Sequence, residues 1–136
     1  MEPFQVQILA SDHPFYRGEC LSLVVPTVDG MYGIRAHHSN LITAVVPGVL
    51  QYQLPEGEPK EAAVSNGLLK VENGVVLLLV DTIERPEEID INRARRDADQ
   101  AQEAILQKKS IQEYHTAQAN LSRALTRLRV KDKWTQ

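Results

Sequence analysis

The stretch Ile83-Glu84-Arg85-Pro86-Glu87-Glu88-Ile89-Asp90 divides the chain into two parts of different character. All seven glycines and all seven prolines lie at or before Pro86, and the residues from Glu87 to Gln136 contain neither. Because glycine and proline mark turns and interrupt helices, the first part is predicted to be rich in turns and the second to be helical. We therefore expect two domains, residues 1–86 and residues 87–136.

The distribution of charge follows the same division. Residues 1–86 carry five Lys or Arg and ten Asp or Glu, whereas residues 87–136 carry ten Lys or Arg and eight Asp or Glu. The net charge of −3, with 43% apolar and 24% charged residues, is typical of a soluble globular chain and gives no reason to expect nucleic-acid binding.

The longest apolar run, Val75 to Val80, is too short for a membrane helix. The N-terminus resembles no signal peptide, which favours a cytosolic setting, and the single Cys20 is expected to be buried.

The first domain is predicted to consist of short β-strands. Apolar and polar residues alternate in Phe4–Ile8 and in Val49–Leu54. Asn73-Gly74 stands between two apolar runs and predicts a hairpin, and Asn66-Gly67 predicts a second one. With a longer loop at residues 56–59, this spacing of strands indicates an antiparallel β-sandwich.

The second domain is predicted to be an antiparallel hairpin of two helices. Asp90 is a suitable N-cap for the first helix, and an apolar stripe follows at Ile91, Ala94, Ala98, Ala101 and Ile105. The first helix is expected to end at Lys108-Lys109, and Ser110 with Glu113 forms a capping box for the second. The apolar side of the second helix is predicted to hold Tyr114, Ala117, Leu121, Leu125 and Leu128. Because contacts between alanines bury little area, we expect a close-packed hairpin that is weakly held.

The sequence contains no recognisable catalytic constellation. There is no phosphate-binding glycine loop, no G-x-S-x-G and no H-E-x-x-H. The neighbours His37 and His38 would point to opposite sides of a strand, so one packed and one exposed histidine is favoured over a shared metal. The protein is therefore not expected to be an enzyme.

Basic residues are concentrated in the second helix. Residues 114–131 contain no carboxylate, and their cations are Arg123, Arg127, Arg129 and Lys131. Arg123 and Arg127 are four residues apart, where like charges on a helix are mildly destabilising. An anion from elsewhere in the protein or from a ligand would relieve this repulsion.

The first helix supplies a further arginine. If the hairpin folds about Lys109, Arg93 comes to the level of Arg123 and Arg127, with Asp90 nearby. Converging guanidinium groups suit phosphate oxygens, which indicates a polyphosphate site. The alternative is a solvated basic face, with Arg93 paired to Asp90 or Asp97 on its own helix.

Several segments, in order along the chain, resemble the epsilon subunit of rotary F-type ATP synthases. They are 33–43 (GIRAHHSNLIT), 47–48 (PG), 65–71 (SNGLLKV), 80–84 (VDTIE), 89–94 (IDINRA) and 122–128 (SRALTRL). The resemblance implies a β-sandwich followed by a two-helix domain, in a non-catalytic rotor subunit that couples the catalytic head to the proton-translocating c ring.

The resemblance also implies the partners and a place in the cell. The sandwich would touch the gamma subunit and the c ring. The helices would either lie folded on the sandwich or extend along gamma into the head of alpha and beta subunits, where they obstruct ATP hydrolysis. The complex would hold the chain at the cytoplasmic face of the bacterial cell membrane. The alternative is a freestanding ATP-binding sensor or adaptor without the rotary complex.

ATP is implied as a regulatory ligand of the folded helices, and the sequence leaves open whether Mg²⁺ accompanies it. The implied ligand residues are Glu84, Ile89, Asp90, Arg93, Ala94, Arg123 and Arg127. Some ATP-binding members have a further arginine where this chain has Gln100. The implied c-ring contact residues are Gly30, Met31, Tyr32, Gly33 and His38. Met31 replaces an acidic residue found in some members, so a more apolar contact is expected.

Overall fold

A computed structural model describes residues 1–107 and 111–134, with the backbone alone at 106–107, 111–114 and 134. Ten strands come first, followed by a 3-10 turn at Pro86–Glu88 and two helices. The strands are β1 Phe4–Ala10, β2 Pro14–Cys20, β3 Ser22–Thr27, β4 Gly30–Ile34, β5 Leu41–Val45, β6 Gly48–Gln53, β7 Lys60–Val64, β8 Gly67–Glu72, β9 Val75–Val80 and β10 Ile83–Glu84. The helices are α1 Ile91–Gln107 and α2 Ile111–Trp134. The predicted class, a β-sandwich followed by two helices, is confirmed.

The strands form two halves that face each other. One half runs β10-β7-β6-β3, with β4 also on β3, and the other runs β5-β8-β9-β1-β2. The halves join where Thr27 pairs with Val45. The pairing is antiparallel except between β1 and β9, which are parallel. This one pair departs from the predicted antiparallel arrangement, because β1 and β9 are distant in sequence and no short hairpin loop sets their direction.

The main core lies between the two halves. Inward residues alternate along β6 and β8, with Leu50 and Tyr52 on β6 and Leu69 and Val71 on β8. Every member of this cluster lies between Phe4 and Ile83, and the described side chains of the two helices contribute nothing to it. Cys20 is fully buried in the same core, as expected, and its burial raises the pKa of the thiol to about 11.

The two Asn-Gly dipeptides have different roles. Asn73 (φ 52°) and Gly74 (φ 78°) form the predicted hairpin turn between β8 and β9, with Glu72 opposite Val75. The second predicted hairpin, at Asn66-Gly67, is wrong because the strands on either side belong to different halves. Gly67 pairs with Val80 on β9, and a Cβ atom at Gly67 would lie 2.8 Å from the Cα of Val80. A close backbone approach therefore explains this glycine.

The second helix, α2, packs on the outer face of β6 and β7. Ile89 and Val130 are buried there against Ala63, with the half-buried Val49 beside them. Because α2 contacts both α1 and the sandwich, it buries two faces, and the predicted single stripe is only partly correct. Ala117, Ala124 and Val130 are buried, whereas Leu125 is 51% exposed.

The first helix follows its predicted pattern more closely. Ala94, Ala98 and Ala101 are buried, and Ile91 and Ile105 are partly buried. The predicted turn and cap at Lys108, Lys109 and Ser110, and the side chains of Glu113 and Tyr114, lie outside the described residues. Neither helix, over its described length, is long and apolar enough to cross a membrane.

Candidate functional site

The N-terminus of α1 is fixed by its predicted cap. The carboxylate of Asp90 accepts hydrogen bonds from the backbone N–H groups of Asn92 (3.0 Å) and Arg93 (3.1 Å) through Oδ1. This satisfies two of the donors that a helix start leaves free. Ile89 just before the cap and Ala94 just after it are both buried, so this turn is held against the body of the protein.

Arg127 on α2 lies at the junction of both helices and the sandwich. Its Nε lies 2.6 Å from Oε1 of Glu84 on β10, although the N–H does not point at that oxygen. Its Nη2 donates to Oε2 of Glu84 (3.3 Å), and its Nη1 donates to Oδ2 of Asp97 on α1 (3.3 Å). The Arg127 side chain is only 14% exposed. It therefore ties three elements together in a partly buried ion-pair cluster.

The other two arginines of the predicted site, Arg123 and Arg93, differ in burial. Arg123, one turn before Arg127, is partly buried, and its Nε is a buried donor without a hydrogen-bond acceptor among the described residues. Arg93 is exposed, and within the described part of the chain its guanidinium forms no ion pair. The alternative interpretation of a wholly solvated basic face does not hold for Arg127 or for the Nε of Arg123.

Of the predicted ligand residues, the structure places Glu84 and Arg127 in direct contact, with Ile89, Asp90, Arg93 and Ala94 in or next to the first turn of α1. Sequence reasoning missed Asp97 as a member of this cluster and considered it only as a partner of Arg93. The sequence feature that could have revealed Asp97 is its position seven residues after Asp90, which places it two turns further along the same helix face.

The far end of α2 has a separate attachment to the sandwich. Lys133 forms an ion pair with Glu61 on β7, whose side chain is 9% exposed. A cavity of about 500 Å³ lies beside this pair and is lined by Met31 and Gly30 from β4 as well as by Arg129 and Val130 of α2. The last turns of the helical pair therefore lie next to the predicted c-ring contact loop.

The predicted contact loop has a rigid tip and apolar side chains. The hydroxyl of Thr27 donates to the carbonyl of Gly30 (2.7 Å) and accepts from the N–H of Asp29 (3.2 Å). Val28 and Met31 are 63% and 56% exposed. These exposed side chains make the tip of the loop apolar.

The histidines next to this loop are held in different ways. The ring of His38 packs edge-on against Tyr32, with 5.7 Å between ring centroids, and its Nδ1 donates to the carbonyl of Ser39 (2.7 Å). His37 is exposed and paired with Glu2. In residues 1–105 and 115–133, whose side chains the structure describes, no three His, Cys, Asp or Glu side chains are grouped in a way that could hold a metal ion.

The second half of the sandwich exposes an apolar surface, which we call the outer leucine face and define by Leu9, Ile42, Leu68, Leu77 and Leu79. Leu79 pairs with Leu68 on one side and with Leu9 on the other, so their side chains lie on one surface of the sheet. Ile42 is 66% exposed, Leu68 41% and Leu79 38%. Leu9, Leu79 and Leu68 form one apolar row, and Leu77 and Ile42 flank Lys70 in the next row. An exposed apolar row of this kind is typical of a protein–protein contact.

Comparison with known families assigns both parts of the chain. Residues 3–86 match the family "ATP synthase, Delta/Epsilon chain, beta-sandwich domain", and residues 87–132 match "ATP synthase, Delta/Epsilon chain, long alpha-helix domain". The ATP synthase epsilon chain of Caldanaerobacter subterraneus subsp. tengcongensis is 39% identical over 134 residues, which are 98% of this chain and 96% of that protein. The epsilon chain of Ruminiclostridium cellulolyticum is 37% identical, covering 94% of this chain and 95% of that protein.

Solved structures share the fold at low sequence identity. A chain in the cryo-EM structure of the Euglena gracilis mitochondrial ATP synthase (OSCP/F1/c-ring) matches with a TM-score of 0.78 and 18% identity, over 98% of this chain and 82% of that chain. A chain in the central stalk and c-ring of the Tetrahymena thermophila mitochondrial ATP synthase matches with a TM-score of 0.70 and 12% identity. The match covers 93% of this chain and 95% of that chain. From the matched domains and relatives together, the chain belongs to the ATP synthase delta/epsilon family, as an epsilon-type chain.

Proposed function

We propose that the protein is a non-catalytic central-stalk subunit of a bacterial F-type ATP synthase, coupling the catalytic head to the proton-translocating c ring. The observation that carries this proposal is the match of both domains, in order, to relatives named ATP synthase epsilon chain. In this role the chain is peripheral to the membrane, at its cytoplasmic face, and is held there through the complex. The division into residues 1–86 and 87–136 separates rotor attachment from regulation.

The sandwich provides two contact surfaces for this role. The outer leucine face binds the gamma subunit, because burying its exposed apolar side chains stabilises a permanent contact. The loop with Gly30, Met31, Tyr32, Gly33 and His38 contacts the c ring through its exposed apolar tip. The helical pair lies on the opposite half of the sandwich, on β6 and β7, so it leaves the outer leucine face free.

The folded helices bind ATP as a regulatory ligand between α1 and α2. The fit of a polyphosphate here rests on the buried Nε of Arg123, a charged donor that lacks an acceptor among the described residues. Phosphate oxygens would supply this acceptor and would also accept from Arg127 and from the exposed Arg93. Ile89 and Ala94 form the apolar support, Asp90 holds the first turn of α1, and Glu84 positions Arg127.

The helical pair restrains ATP hydrolysis when it leaves the sandwich and extends into the head of alpha and beta subunits. Two ion-pair attachments, Arg127 with Glu84 and Lys133 with Glu61, hold it in the folded position. The small side chains between the helices, such as Ala98 and Ala117, bury little area and keep the packing weak. ATP stabilises the folded arrangement, because only that arrangement brings both helices to the site.

The rotor assignment is tested by purifying the tagged chain from the cells that make it. We expect the alpha, beta and gamma subunits to co-purify. The double substitution Leu68→Ser and Leu79→Ser should abolish co-purification, since it places hydroxyls in the outer leucine face. Leu125→Ser, which changes a leucine on α2 that is more exposed than either of these, is the control and should retain the complex. A wild-type chain that purifies alone, while still binding ATP, would support a freestanding sensor instead.

A further inference from the structure

Arg127 is already paired with two carboxylates in the folded chain. Glu84 contacts its Nε and Nη2, and Asp97 accepts from its Nη1. Since the Arg127 side chain is 14% exposed, little of the guanidinium remains open to a further anion. A phosphate group that binds this guanidinium must therefore displace a carboxylate from it.

Asp97 is the partner that is more easily displaced. It makes one contact with Arg127, at 3.3 Å, and its side chain is 45% exposed. Glu84 makes two contacts, the shorter at 2.6 Å, and is 26% exposed. An incoming anion therefore exchanges most readily with Asp97, at Nη1.

The position of Asp97 on α1 places its carboxylate beside the proposed phosphate site. It lies four residues after Arg93 and seven after Asp90, one and two helical turns along the same face. A polyphosphate held by Arg93, Arg123 and Arg127 would put negative oxygens close to this carboxylate. Like charges at such short range repel, and more strongly in a partly buried site than in water.

We propose that Asp97 is an affinity-determining residue for ATP, an internal anion that occupies Arg127 until the nucleotide displaces it. This inference rests on the proposed function, that the folded helices bind ATP. Asp97 keeps Arg127 neutralised in the absence of nucleotide, so it holds the two helices together and at the same time lowers the affinity for ATP. A ligand shifts a conformational equilibrium only through its differential affinity for the two states. By lowering the affinity of the folded helices for ATP, Asp97 also reduces the shift toward the folded arrangement that ATP can produce.

The test is a calorimetric titration of the purified full chain with ATP, without Mg²⁺ and again with it. Asp97→Asn should tighten ATP binding by at least about fivefold, the lower end of a usual coupling between sites. Asp97→Glu, which keeps the charge, should bind ATP like the wild type. Asp99→Asn removes the same charge from an exposed position on α1 and should change the affinity less than about twofold. Circular dichroism checks that each variant keeps its helices.

The outcomes separate this inference from the proposed function. If the wild type binds ATP and Asp97→Asn binds equally well or more weakly, Asp97 is only a structural clamp and the inference is wrong, while nucleotide binding stands. If Asp97→Asn weakens binding only when Mg²⁺ is present, Asp97 serves the metal, and the inference is again wrong. If no variant binds ATP, the nucleotide part of the proposed function fails, and the inference fails with it.

Discussion

Replacing Arg127 by alanine is expected to weaken ATP binding by at least about tenfold and to loosen the packing of α2 against α1. A hydrogen bond to a charged group contributes about 1.5–3 kcal/mol, which corresponds to a tenfold or greater change in affinity. The substitution also leaves the carboxylates of Glu84 and Asp97 without the cation that they share. It therefore removes both the proposed ligand contact and the centre of the ion-pair cluster.

Two measurements check the Arg127 prediction. Titration with ATP gives the affinity, and the distance between labels on cysteines introduced at Gln100 and Gln118 reports the separation of α1 and α2. The native Cys20 does not interfere, because it is buried and its pKa is raised to about 11, so little reactive thiolate forms. Arg96→Ala removes an exposed arginine from α1 and should alter neither quantity. Equal affinity and equal distances in Arg127→Ala and the wild type would contradict the prediction.

Substituting alanine for Gly67 is expected to lower the free energy of unfolding by about 3 kcal/mol or more. The added Cβ would collide with the carbonyl of Leu79 and lie 2.8 Å from the Cα of Val80. Both obstacles are backbone atoms of β9, held in the ladder with β8, so neither can rotate away. Because the free energy and the melting temperature are linked through the unfolding entropy, Tm should fall by roughly 10 °C.

Thermal unfolding of Gly67→Ala beside Gly33→Ala measures this effect. A Cβ at Gly33 meets nothing within 4 Å, and its backbone φ is not positive, so the control should unfold at the wild-type temperature. If Gly67→Ala unfolds at the same temperature as Gly33→Ala, the prediction is wrong and β9 lies further from Gly67 than in the structure.

Local features of the fold could be predicted from sequence because their physical causes are local. Asn73-Gly74 needs only two residues that tolerate positive φ, and Asp90 needs only the N–H groups two and three residues later. The buried alanines of α1 follow from the helical period. Each of these predictions is confirmed by the structure.

Features that depend on distant strands could not be predicted in this way. Asn66-Gly67 has the same sequence pattern as Asn73-Gly74, yet it connects the two halves of the sandwich. A dipeptide restricts the turn but not the partners of the strands on either side. The parallel pairing of β1 with β9 likewise joins segments far apart in the chain.

The ion pairs of the candidate site likewise depend on residues that are distant in the sequence. The composition of α2 indicated that Arg127 lacked a local carboxylate, which is correct. Its partners, Glu84 and Asp97, lie 43 and 30 residues away along the chain, and only the placement of α2 beside both β10 and α1 brings them together. The exposure of Leu125 has a related origin, because the helical period alone does not reveal that α2 packs against two neighbours.

The regulatory role proposed for the helical pair is to restrain ATP hydrolysis in an assembled rotary enzyme. It is tested most directly by a chain that ends at Pro86, which should fold because the main core lies between Phe4 and Ile83. The full-length and truncated chains are reconstituted into the same ATP synthase depleted of this subunit, and equal incorporation is verified by subunit stoichiometry. ATP hydrolysis is then measured across a range of ATP concentrations.

We predict faster hydrolysis with the truncated chain, with the largest difference at low ATP, where the helices are not held in the folded form. The difference should shrink as ATP rises and stabilises the folded arrangement. ATP synthesis should remain coupled, because the outer leucine face and the loop at Gly30–Gly33 are retained. Equal hydrolysis by both enzymes at every ATP concentration would mean that the helical pair does not restrain hydrolysis.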